Sequence, residues 1–141
     1  MNYRLILMLS MFGLAMGVAT VFWIPSNIEP AFWLPIFLVC AYVIARSSRE
    51  RLFAHGLWLG VVNSVWITAA HVVFAGEYLG RHASEAEMLK MGPFSDSPRV
   101  TMVLMGPLVG VVSGLVIGVF AVIAGKLVGD RREPSRSSAA G

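Results

Sequence analysis

Of the 141 residues in this chain, 57% are hydrophobic and only 13% are charged, with a mean hydropathy of +0.73. That length holds one domain, and a soluble domain carries about twice that charge, so the composition excludes an ordinary water-soluble fold. The net charge of +3 does not point to nucleic acid either, because the basic residues stand at the ends of apolar segments and form no patch.

Four apolar segments, about Leu5–Ile24, Ala31–Ala45, Leu52–Leu79 and Val100–Val128, reach or approach the ~20 residues needed to cross a hydrocarbon core. The first follows Arg4 and runs on into Phe22, Trp23 and Ile24. It is too long and too aromatic for the apolar part of a cleaved leader, so it reads as a retained helix. Ser10, Gly13, Gly17 and Thr20 fall near one of its faces. The tight turn Pro25–Pro30 then predicts that the first two helices form a hairpin. The second segment is short and carries Pro35, which predicts a kink, while Arg46 can snorkel to lengthen it. Its lone Cys40 excludes an internal disulfide and a cysteine-based metal cluster, and reads as a small apolar residue.

Arg46–Arg51 is a second short turn. The third segment places Gly56, Gly60, Ser64, Thr68, His71 and Ala75 on one face, with Asn63 at its margin. After it, about Gly80–Pro98 forms the one sizeable connection. There Ser84 and Glu87 have capping-box spacing, predicting a short amphipathic helix over Glu85–Met91 that ends at Gly92-Pro93, with Met88, Leu89 and Met91 against a membrane surface. Glu77 and Arg81 have the spacing of a surface pair. His82, Met88 and Met91 contain soft donors that suit Cu(I), but an apolar helix face explains the methionines equally well, and no metal site is expected. Ser97 is the expected N-cap of the last helix, with Pro98 at its first position.

The fourth segment carries a glycine ladder. Gly106, Gly110, Gly114 and Gly118 recur at steps of four, with Ala121 and Gly125 on the same side. Val109, Val112, Val116, Val119, Phe120 and Ile123 lie opposite. Each interior glycine costs a helix ~1 kcal/mol in water, whereas in lipid the same spacing lets two backbones approach and pack. The ladder predicts a right-handed crossing near ~−40°. Gly13, Gly17, Gly56 and Gly60 are its candidate counterparts. Its partner is the first helix, the third, or a second copy of the chain, and spacing alone does not choose. Helices one, three and four are expected to form the tight contact, with helix two peripheral. Pro107 predicts a bend.

Positive charge orients membrane helices. Arg4, Arg46, Arg49, Arg51, Lys126, Arg131, Arg132 and Arg136 fall on one side; Arg81, Lys90 and Arg99 fall on the other, outnumbered by Glu77, Glu85, Glu87 and Asp96. The expectation is therefore an all-α integral membrane four-helix bundle over residues 1–128, with both ends cytoplasmic, in a bacterial inner membrane. Trp23, Trp33 and Tyr78 should mark its outer interface, and Tyr3 and Trp58 its inner one. Residues 129–141, polar and rich in Ser and Arg, read as a disordered tail.

Polar side chains at membrane depth are costly and face the bundle interior. Asn63, Ser64, Thr68 and His71 are accordingly the candidate polar site, expected to face helix four, either as interhelical hydrogen bonds or as a small relay in which His71 titrates. His55 points away from it. No carboxylate lies deep in any segment, and no HExxH, GxSxG, P-loop or paired-carboxylate signature is present. The sequence thus predicts a non-enzymatic accessory or scaffold protein, or a self-associating bundle, with no cofactor. Its expected partners are the lipid bilayer and a second copy or another membrane subunit. The alternative is a small channel or transporter component whose pathway is lined by the polar stripe.

Overall fold

The computed structural model describes residues 1–48, 50–92 and 94–130. Arg49, Pro93 and most of the expected tail lie outside the described residues. Among the described residues the fold is all-α, with six helices: α1 (Tyr3–Phe22), α2 (Glu29–Ser47), α3 (Leu52–Val73), α4 (Ala75–Arg81), α5 (Ala83–Met91) and α6 (Pro98–Asp130). Four of them, α1, α2, α3 and α6, are long and apolar enough to cross a membrane. At 33 residues, α6 is ~50 Å long, and it continues through Pro107 without interruption.

Helices α3 and α6 form the most extensive contact, and they run antiparallel in a fixed four-residue register. Gly56 meets the backbone at Gly118, and Gly60 meets the backbone at Gly114. One turn further along, Ser64 Oγ lies on Gly110, and after another turn Thr68 Oγ1 lies on Gly106. A methyl group added at Gly56 or Gly60 would collide with main chain, which cannot step aside. The absence of Cβ is what permits this approach. The glycine ladder is therefore packed within the chain, against α3.

Helix α1 packs on α3 in parallel. A Cβ at Gly13 would stand 2.6 Å from Asn63 Oδ1, and one at Gly17 would stand 3.0 Å from Ile67 Cα. Trp66 Nε1 donates to Ser10 Oγ at 3.1 Å. At the start of both helices the backbone N–H of Asn2 donates to His55 Nε2 at 2.9 Å, while His55 Nδ1 donates to the Arg51 carbonyl at 2.9 Å. Arg51 adopts a left-handed conformation, φ 54°, at a cost of ~1–2 kcal/mol. That reversal starts α3 and brings the Arg51 carbonyl under the His55 ring.

Two expectations about α2 are corrected. It is not peripheral, since it packs along α6, and it hardly touches α1, so the Pro25–Pro30 turn does not close a hairpin. Cys40 and Ala41 are the reason: both are small and buried, and with Ile44 they join Ile6, Leu9, Leu59, Ile117 and Ala121 in one core. Every member of that core lies toward the end of the bundle where α1 and α3 begin and α2 and α6 finish. At the other end α2 presents Trp33 and Phe37 in place of Cys40 and Ala41, and such bulk prevents the same approach.

Other local expectations also shift. The third apolar segment does not run to Leu79: Phe74 leaves the helical region at φ −103°, ψ 34°, and separates α3 from α4. Helix α5 exists, but His82 and not Ser84 precedes it, and no side chain caps it. The Ser84 hydroxyl bonds Glu85 next door at 2.7 Å, so the capping box does not form. Glu77 and Arg81 make no ion pair; among the described residues the pair seen is Lys90–Glu87 at 2.8 Å. Pro98 does open α6, and the Ser97 carbonyl accepts from Val100 N–H at 2.9 Å. Gly129 and Asp130 remain helical.

Candidate functional site

Because the helices converge at one end only, a cavity of about 990 Å³ opens at the other. Its walls are the first half of α2, the second half of α3 and the first two-thirds of α6, with α4 and α5 above. Trp33, Phe37, Ile67, Met105, Val109 and Phe120 make most of it apolar. Beneath it, Cys40, Ile44, Leu59 and Ile117 have no exposed surface, so the cavity is blind toward the core.

All four residues of the candidate polar site reach this cavity, but they do not act as one stripe facing α6. Ser64 and Thr68 do lie against α6, on Gly110 and Gly106. The Ser64 hydroxyl, however, donates to its own helix at Val61 O, 2.8 Å away. His71 turns the other way and bonds α1, with Nε2 2.9 Å from Thr20 Oγ1. The Thr20 proton goes to Met16 O at 2.9 Å or Gly17 O at 3.1 Å, so its oxygen is left to accept from His71 Nε2–H. Asn63 leans on Gly13 of α1, is 3% exposed, and has no partner for either amide atom. Thr101 Oγ1, on the facing wall, is also buried without a partner. Such groups lose ~1–3 kcal/mol each when left dry.

The roof is a feature that sequence spacing did not show. Tyr78 is 9% exposed and sandwiched between two imidazoles. The His71 ring stacks on it with centroids 4.0 Å apart, and the His82 ring stacks on its other face at 4.3 Å. The i, i+4 spacing of Tyr78 and His82 was a visible signal; the break at Phe74, which folds α4 back over His71, was not. His82 also clasps the α1–α2 turn: its Nδ1 lies 2.8 Å from Tyr78 O and its Nε2 3.2 Å from Ile24 O. Both His82 nitrogens thus face carbonyl oxygens, and Met91 is exposed beyond them.

Two carboxylates stand at the mouth. Glu29 accepts from Trp33 Nε1 at 2.9 Å. Glu85 accepts from Ser84 and from Ser26 of the α1–α2 turn. Slight burial pulls the Glu85 carboxyl upward, but these hydrogen bonds outweigh it and hold it below the usual carboxylate range. Burial, reinforced by the negative charges of Glu29 and Glu85, pushes the Tyr78 phenol up to about 12. The Tyr78 phenol therefore stays neutral above the Glu85 carboxylate.

The fold and site define a class: an all-α bundle of four membrane-length helices, closed at one end and hollow at the other. Comparison with protein-family models, with curated proteins and with solved structures yields no match for this chain.

Proposed function

We propose that this chain is a non-enzymatic integral membrane protein that admits a small guest into a one-ended cavity, as the binding component of a transport or accessory system. The observation that carries this reading is the cavity itself, which runs from Glu29 and Glu85 down to Gly60 and Phe120 beside a core whose Leu59 and Ile117 have no exposed surface. A through-channel needs an opening at both ends, and a pure scaffold needs none. The ladder is used up against α3, which takes away the surface on which self-association would rest.

Membrane insertion is supported by the outward faces. Leu7, Met8, Leu38, Val65, Leu104, Val112 and Ile123 are all exposed, an apolar girdle far larger than a soluble monomer tolerates. Orientation is supported by charge: Arg4, Arg46, Arg51 and Lys126 share the closed end, which by the positive-inside rule is the cytoplasmic one. The cavity then opens outward, in what we take to be a bacterial inner membrane.

A thiol test separates this reading from a closed scaffold. Cys40, buried in the core, is a built-in closed-end reporter. A maleimide reacts with a thiolate, which forms where water reaches it. In native membranes the Ser113→Cys variant, with its new thiol in the cavity wall, should label to completion while wild-type Cys40 stays unmodified. A cavity thiol as inert as Cys40 would leave the scaffold reading in place.

A further inference from the structure

The charge on the cavity lining is one-sided. Among the described residues, Glu29 and Glu85 line it, no Lys or Arg does, and neither carboxylate is in an ion pair. The Trp33 indole is hydrogen-bonded to Glu29, which fixes a π-face beside a carboxylate. Asn63 and Thr101, both in the lining, also hold buried polar atoms with no protein partner. The volume, about 990 Å³, is at the upper end for a small-molecule pocket.

We propose that the guest is a lipophilic organic monocation, its apolar body against Phe37, Ile67, Met105 and Phe120 and its charge held between Glu29, Glu85 and Trp33. A bilayer phospholipid fits less well, because its phosphate would meet two carboxylates and no basic side chain. This inference rests on the cavity being an accessible binding site, and the test keeps the two ideas apart.

The full chain in phosphatidylcholine nanodiscs would be dialysed against tetraphenylphosphonium, against tetraphenylborate, and against neutral triphenylphosphine oxide. The phosphonium should bind saturably at one per chain, with the borate about tenfold weaker or worse. Glu29→Gln with Glu85→Gln, which removes both charges and keeps one acceptor oxygen at each position for Trp33 and Ser84, should weaken the phosphonium by about tenfold or more and leave the neutral probe unchanged. Each single variant should fall between. Equal binding of cation and anion, or wild-type affinity in the double variant, overturns the charge preference. If all three probes bind alike and a cavity-filling Ser113→Trp variant excludes them all, the binding site stands and the cationic guest does not. If no probe binds saturably, both ideas fall.

Discussion

The two ends of this bundle are built from the same four helices by opposite choices of side-chain size. At the closed end glycine meets glycine between α3 and α6, while Cys40 and Ala41 let α2 close against Ile117 and Ala121. At the open end hydroxyls replace one glycine of each pair, Trp33 and Phe37 replace the small residues of α2, and the helices part around a cavity. Dispersion is strong where atoms are dense and absent across a void. Stability should therefore reside in one half and binding in the other, and substitutions matched across the two halves can break that division.

The largest effect is expected where main chain meets main chain. Gly60→Leu with Gly114→Leu should abolish the folded bundle, because overpacking costs ~1–3 kcal/mol even where side chains can yield and here the obstacle is backbone. Val109→Leu, an enlargement on the cavity wall, should change stability by less than ~0.5 kcal/mol. Reversible unfolding in mixed micelles measures both. A folded double variant would show that the ladder does not set the α3–α6 approach.

Deletion gives the next contrast. Leu59 has no exposed surface, so Leu59→Ala should cost ~2–5 kcal/mol. Leu34 is half exposed at the cavity wall, so Leu34→Ala should cost under ~1 kcal/mol in the same assay. Comparable losses at the two sites would mean that the open end is packed as tightly as the core.

How much of this division was legible follows from which signals are periodic. Hydropathy marks the four long helices because each is a continuous run, and the ladder marks α6 because four steps of four keep one face. Spacing could not choose a partner for the ladder; that depends on Ser64 and Thr68 falling in register with Gly110 and Gly106, a property of two helices together. Nor could it place α2, whose contact rests on two small residues, Cys40 and Ala41, without a repeat. Asn63, Ser64, Thr68 and His71 all line one cavity, but His71 turns to Thr20, and this depends on how α1 packs. The His71–Tyr78–His82 stack depends on a backbone break at Phe74, and a run of apolar residues hides such a break.

A smaller effect, of the opposite sign, is expected at Asn63. Its two amide atoms are buried and unpartnered, and leucine has nearly the same shape at the first branch. Replacing an unsatisfied polar group by an apolar one of similar shape is neutral to stabilising. Asn63→Leu should raise unfolding stability by ~1 kcal/mol while weakening whatever occupies the cavity. A marked loss of stability would show that the amide is satisfied after all, most simply by a buried water.

The last effect concerns pH at the roof and shows only in alkali. The Tyr78 phenol is pushed up to about 12 from its ordinary 10.0, first by burial and then by Glu29 and Glu85. In the unfolded chain it ionises earlier, so between those values the unfolded state sheds a proton that the folded state keeps. The contribution is therefore fully present below pH 10 and is lost as pH rises toward 12. Tyr78→Phe keeps the ring between His71 and His82 but removes the proton, so its stability should fall less steeply than wild type across that interval and run parallel to it below. The difference between the two alkaline unfolding profiles is the measurement. Identical slopes would place the Tyr78 hydroxyl in water and leave the rim carboxylates without a neutral phenol beside them.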